Sequence, residues 1–303
     1  MSKTLPRTAP AVGPAGPLER RLVTGLVRMV WRNDRRGGPW EVPGHLDHDD
    51  LIVPGNGRLT ARYFRQNAQP EGARGVAVLV HPDKRYGQHW FVKEGWVDLL
   101  VAAGFDVLTV DLTGYGGSES PSSYYHEDVV SAVETARDRS GGLPVHLIGV
   151  SIGSYAAANA SPHVELASLM LESPYPTFAA WYGDHPLAAV SNVFRIFRKS
   201  WRSIHAPSNV AAARAERILV TATRADAVTP EHLSATVAAA APADRSHYLV
   251  VDDAAHLELF HDARYRQAIL EHLGVPAQEA QALVAAPAVG LVEAKGEAAV
   301  ATA

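Results

Sequence analysis

Val145-His146-Leu147-Ile148-Gly149-Val150-Ser151-Ile152-Gly153 is the stretch from which the rest of the chain can be read. Its first half is apolar enough for a short buried strand, and its second half is a G-x-S-x-G turn. Tyr155-Ala156-Ala157-Ala158-Asn159-Ala160 follows at once and favours helix. A strand that reverses into a helix through this pattern sets its serine at the tip of the turn, in a strained conformation. Gly149 and Gly153 lack the Cβ atoms that would collide across so tight a reversal. Ser151 Oγ is then expected in a cleft at a helix N-terminus. There the N–H of Ile152 and the positive helix end can stabilise an oxyanion. Gly and Ser also occur together in ordinary βα turns, so the rest of the chain must supply a base, an acid and a second oxyanion donor.

Composition narrows the alternatives. The 303 residues suit one large α/β domain or two small ones, and 47% hydrophobic content gives ample core. Lys+Arg 28 against Asp+Glu 32 leaves a net charge of −4, so no global basic field invites nucleic acid. The absence of cysteine excludes disulfides, thiolate metal sites and a cysteine nucleophile. No apolar run is long enough to span a membrane, and Met1 to Pro17 holds no secretion-signal core, so a cytoplasmic location is the expectation.

Outward from Ser151, strand and helix patterns alternate. Upstream, His45 to Val53 and Arg58 to Phe64 read as strands joined by Pro54-Gly55-Asn56-Gly57, a hairpin signal. Gly75 to Val80 is a continuous apolar run that suits a central parallel strand and ends in His81-Pro82-Asp83. Residues 88–103 read as one helix closed by Gly104. The strand from Phe105 leads into the glycine-dense loop Asp111 to Ser118, and Tyr124 to Ser140 is helical. Downstream come a strand over Leu166 to Leu171 ending at Glu172, a strand over Ile218 to Ala222 before Asp226, a helix near 230–240, a strand over His247 to Val251 before His256, and a helix from about Ala263 to Leu273. This alternation predicts a doubly wound, mostly parallel α/β sheet over 45–275, whose ligands bind beyond the carboxyl ends of the strands. Ser151, Asp226, His256, His81 and the loop after Asp111 all fall at such ends.

Flanking regions read differently. Residues 1–17 are a disordered lead, 18–44 an N-terminal helix and linker, and 276–303 a flexible Ala-rich tail. The stripe Leu22, Val23, Leu26, Val27, Val30 faces the chain's own core on this reading. His45, Asp47, His48, Asp49 and Asp50 are read as a solvated strand edge, because alternate strand residues point to opposite faces and disperse a ligand set.

Ser151, Asp226 and His256 stand in the chain order of a triad built on one particular sheet. With His81-Pro82-Asp83, Asp111-x-x-Gly114-x-Gly116-x-Ser118 and Asp226-x-x-x-Pro230, they make the chain resemble the α/β-hydrolase superfamily of serine hydrolases over roughly residues 45–275. The resemblance implies Ser151 as nucleophile, His256 as general base and Asp226 as the acid that orients it. It implies an oxyanion hole from the N–H of Ile152 and, since Pro82 has no N–H, that of Asp83. The chain lacks the Gly-rich oxyanion loop found in some members. Glu172 is the alternative acid, and His261 the nearest rival to His256 among 14 histidines.

Residues 176–214 break the rhythm and read as a helical cap after the sixth strand. Phe194, Phe197, Trp201 and Ile204 share a helical stripe and, with His81, Trp181 and Tyr182, are candidates to line an acyl pocket. Arg195, Arg198, Lys199 and Arg202 form a second stripe, read first as a solvated face. Its functional alternative is a contact for the phosphate of a coenzyme A or carrier-protein thioester. The expected activity is hydrolysis of an ester or thioester through an acyl-Ser151, with no metal or organic cofactor. Acyl transfer, peptide hydrolysis, a cofactorless lyase or cyclase using the site for proton transfer, and a non-catalytic binding role stand as alternatives.

Overall fold

The computed structural model describes residues 40–54, 57–69, 71–84, 86–119, 125–183 and 204–286. Eight strands form one sheet: β1 (His48–Pro54), β2 (Arg58–Phe64), β3 (Val76–Val80), β4 (Asp106–Val110), β5 (Val145–Val150), β6 (Ser168–Glu172), β7 (Ile218–Thr223) and β8 (Ser246–Val251). Their spatial order is β1-β2-β4-β3-β5-β6-β7-β8. β1 and β2 are antiparallel to each other, β2 is antiparallel to β4, and β3 to β8 run parallel. Every residue of β3, β5, β6 and β7 is buried. Continuous apolar runs such as Val76-Ala77-Val78-Leu79-Val80 therefore become central strands, covered by helices on both faces.

One face is covered by α3 (Tyr125–Arg139), α4 (Ile152–Ala160), α6 (Ala206–Ala211) and α7 (Glu231–Ala238), whose Val133, Ala157, Val210 and Val237 join one core. The other is covered by α1 (His89–Lys93), α2 (Trp96–Ala102), α8 (Ala263–His272) and α9 (Ala277–Ala285), through Phe91, Trp96, Ile269 and Ala280. A further helix, α5 (Phe178–Gly183), follows β6.

Several expectations need correction. The single helix over 88–103 is two, because Gly95 takes a left-handed backbone (φ 80°) that ends α1 and starts α2 at a new angle. The tail expected to be loose from 276 begins with α9 instead. Pro276 precedes its first turn, Ala280 is fully buried, and Glu279 forms an ion pair with Arg74. The end of the range 176–214 expected as a cap belongs to the main domain. Ala206 and Val210 of α6 are buried in the main core, beside α4. The helix expected over 18–32 and most of the range expected as a cap, including Phe194, Phe197 and Trp201 and the basic stripe, lie outside the described residues. The acidic cluster near 45–50 is spread over separate ion pairs, Asp47 and Asp49 with Arg65, Asp50 with Arg62, and His45 with Asp98.

Candidate active site

Steric demands build the turn that carries Ser151. Ser151 has φ 55° and ψ −116°, outside the regions open to an unstrained side chain. A Cβ on Gly149 would stand 2.4 Å from the Gly153 carbonyl oxygen, and one on Gly153 would stand 2.0 Å from that of Val80 and 2.7 Å from that of His81. Only glycine permits either approach. The first lets β5 fold back against α4, and the second lets α4 sit on the end of β3, beside His81-Pro82-Asp83. Ser154 Oγ donates to the Ser151 carbonyl at 2.6 Å, and the Ser151 N–H donates to the Glu172 carbonyl at 2.9 Å. The strained residue is thus held from two sides.

Three strand ends bring the chemistry together. His256 Nε2 lies 3.0 Å from Ser151 Oγ, and His256 Nδ1 lies 2.7 Å from Asp226 Oδ2. Asp226 is saturated with donors. Oδ1 accepts the N–H groups of Val228 (2.8 Å) and Thr229 (2.6 Å), and Oδ2 also accepts the Ser173 hydroxyl at 3.1 Å. Burial pushes the Asp226 pKa up. The His256 hydrogen bond and charge, then the two N–H groups, outweigh it, and the net position is below the usual carboxylate range. An ionised Asp226 accepts only, so the imidazole carries its proton on Nδ1 and turns a lone pair on Nε2 to the serine. The arrangement can take a proton from Ser151 Oγ and stabilise the imidazolium that results.

The other expected residues separate into groups. His81 is fully buried and cannot line an open pocket. Its Nδ1 donates to the Pro82 carbonyl at 2.8 Å, and its Nε2 accepts the Leu112 N–H at 3.0 Å, tying together the loops after β3 and β4. Asp83 is exposed, and its Oδ1 accepts the Tyr115 hydroxyl at 2.8 Å. Ser118 closes its turn by donating to the Asp111 carbonyl. His261 is exposed and lies 3.6 Å from Glu94, away from Ser151. Trp181 is half-buried on α5, and its indole N–H donates to the Val228 carbonyl at 2.8 Å. The Val228 N–H is itself on Asp226, so α5 is joined to the acid loop. The Tyr182 side chain lies outside the described residues. Trp181 stacks on Tyr175, which stacks on Tyr155 at 4.8 Å, with Phe178 against both tyrosines.

Sequence reading missed Ser173, Tyr155, Tyr175 and Phe178. Ser173 has φ 49° and follows the last residue of β6. Its position after a predicted strand was its only signal, since its partner is 53 residues away.

Comparison with known proteins agrees with this architecture. A Synechocystis sp. protein provisionally named a non-heme chloroperoxidase is 33% identical over 129 residues. That match spans 41% of this chain, and the chain spans only 45% of the relative's length. The Pyrococcus furiosus esterase Pf2001 superposes with a TM-score of 0.61 at 16% identity, covering 78% of this chain and 96% of that one. The Pyrococcus horikoshii acylaminoacyl peptidase gives 0.59 at 12% identity, over 81% of this chain and 42% of that one. At such identities these structures speak to the fold. The sequence profile of the Alpha/beta hydrolase family matches residues 77–292, from β3 to beyond α9, and the chain belongs to that family.

Proposed function

We propose that the protein is a serine hydrolase that cleaves a carboxylic ester or thioester through an acyl-Ser151 intermediate. The observation that supports this reading is the unbroken path Ser151 Oγ, His256 Nε2, His256 Nδ1, Asp226 Oδ2, with contacts of 3.0 and 2.7 Å at the carboxyl ends of three parallel strands. Ser151 Oγ attacks the substrate carbonyl carbon as its proton passes to His256 Nε2. The tetrahedral oxyanion faces the Ile152 N–H at the start of α4, with the Asp83 N–H as second donor. A donor of this kind is worth about 10²–10³ in rate. Collapse breaks the bond to the leaving oxygen or sulfur, which takes the proton from His256. Water then attacks the acyl-serine with His256 as base. Collapse returns the proton to Ser151 Oγ and releases the acid.

The name of the Synechocystis relative favours a second acceptor for the same intermediate. Hydrogen peroxide in place of water would yield a peracid and leave the serine regenerated, with no change in the residues required. The coenzyme A or carrier-protein reading rests on the basic stripe Arg195, Arg198, Lys199 and Arg202.

The test is intact-mass spectrometry after incubation with a fluorophosphonate, on the wild type and on Ser151→Ala. One adduct on the wild type alone is the expected result, and a panel of short-chain esters against acyl thioesters then ranks leaving groups, with and without added peroxide. An unmodified wild type would end the acyl-serine reading.

A further inference from the structure

The side chain of Asp226 is fully buried, yet the loop that holds it lies at the surface. Ala225, Ala227 and Val228 around it are exposed, Val228 by 49%. Two backbone N–H groups of this loop donate to Asp226 Oδ1, and the shorter contact, 2.6 Å, is from Thr229. That N–H belongs to the peptide group whose other end is the Val228 carbonyl. The same carbonyl accepts the indole N–H of Trp181 at 2.8 Å. Trp181 Nε1, Val228 O, Thr229 N and Asp226 Oδ1 therefore form one chain of contacts through a single peptide group. Asp226 Oδ2 continues it to His256 Nδ1 at 2.7 Å.

We propose, on the basis of the hydrolase reading, that Trp181 is a positioning residue for Asp226, acting through the Val228–Thr229 peptide. A peptide plane at the edge of an exposed turn can rotate, which would set its carbonyl, and not its N–H, against the carboxylate. The indole fixes the orientation in which the N–H faces Asp226. It also polarises the peptide, because an amide whose carbonyl accepts a hydrogen bond is a stronger donor at its nitrogen. Asp226 is thereby held with Oδ2 toward the imidazole.

The indole is itself held in place. Trp181 stacks on Tyr175 at 5.8 Å, with the planes 25° apart, and Tyr175, 2% exposed, stacks on Tyr155 at 4.8 Å and 10°. Tyr155 is on α4, and its N–H donates to the Ser151 carbonyl at 3.1 Å. The residue that steadies the acid is thus stacked, through two tyrosines, on the helix that follows the nucleophile. A phenyl ring would fill the place on Tyr175 equally well. The indole adds a donor at its edge, and that donor is the atom on Val228.

The experiment compares the wild type with Trp181→Phe, which keeps a ring and loses the donor, and with Trp181→benzothienylalanine, in which sulfur replaces the N–H and the size is kept. NMR of the full chain gives two readouts. One is amide hydrogen exchange at Thr229, referenced to the amides of β7. The other is the low-field proton on His256 Nδ1, assigned by its loss in His256→Gln. In both variants Thr229 should exchange about threefold to tenfold faster while β7 keeps its rates, as removal of one neutral hydrogen bond predicts. The low-field proton should move upfield and broaden as its bond to Asp226 loosens. On an ester, kcat should fall by a similar factor with KM unchanged. A merely structural role would speed exchange at Thr229 and in β7 together. A folded benzothienylalanine variant with both readouts as in the wild type overturns the proposal. Faster exchange at Thr229 with an unmoved His256 proton overturns it as well, because the bond would then steady the loop without reaching the acid. If Trp181→Phe does not fold, the benzothienylalanine variant decides. An inactive wild type would count against the hydrolase reading alone, since both NMR readouts stand without turnover.

Discussion

Gly153 lies so close to Val80 that a Cβ on the glycine would stand 2.0 Å from the valine's carbonyl oxygen. The helix that begins after Ser151 is therefore seated directly on the end of β3, and both oxyanion donors proposed above depend on that contact. Gly153→Ala should push α4 off the strand. It should lower stability by about 2–3 kcal/mol, as overpacking of a core does, and reduce turnover as well. Urea denaturation of the two proteins measures this, and coincident midpoints would mean that the backbone can retreat at little cost.

Ser151→Ala removes the oxygen proposed to attack the substrate and leaves the Gly149 and Gly153 contacts in place. The variant should fold with its far-ultraviolet circular dichroism unchanged, while kcat on an ester falls roughly 10⁶-fold, as loss of a triad nucleophile does elsewhere. Substantial residual turnover would point to a non-covalent route.

Asp226 accepts four hydrogen bonds, and they differ in consequence. Asp226→Asn can no longer hold the imidazole in the tautomer that bares Nε2, so kcat should drop about 10⁴-fold. Ser173→Ala removes one neutral donor, worth about 1 kcal/mol, and should cost about fivefold. Steady-state kinetics of the two variants on one ester separates these cases. Equal losses would mean that Ser173 is as necessary to the site as the acid's charge.

Asp128 on α3 gives a prediction about stability and pH. It is fully buried, its Oδ2 accepts the Thr113 N–H at 2.9 Å, and its Oδ1 has no partner. Burial raises its pKa to about 7 against the pull of that hydrogen bond. Between about pH 4 and 7 the native protein then holds a proton that the unfolded chain, titrating near 3.9, has released. Rising pH removes stability across this window, by about 4 kcal/mol at most. Asp128→Asn carries no such charge, so its stability relative to the wild type should improve between pH 5 and pH 8. Denaturant unfolding at the two values checks the direction, and a constant difference would mean that Asp128 is already ionised at pH 5.

Much of the fold was legible because its signals are local. Buried strands such as Val76–Val80 and Val145–Val150 are continuous apolar runs. The turn at Ser151 needs glycine at two set positions, and strand ends in a parallel sheet gather at one edge whatever the intervening lengths. Two helical misreadings were also local in origin. The apolar pattern continues through Gly95, so only its left-handed backbone divides α1 from α2. The Ala-rich composition after Pro276 gave no clear period, and α9 is held by burying Ala280 against the neighbouring helices.

Sequence alone thus determined the class of sheet, the turn that carries Ser151, and the candidates Asp226 and His256 by their places at strand ends. Tertiary structure decided which acid meets the imidazole: the seating of the strand ends turns Asp226 to His256 Nδ1, while the Glu172 carboxyl accepts the Tyr265 hydroxyl. It also decided that His81 is sealed into the loops, that Ser173 steadies the acid, and that Tyr265 engages Glu172 from 93 residues away. A side chain's partner depends on which strand ends become neighbours and at what register, and residue spacing along the chain carries no record of that.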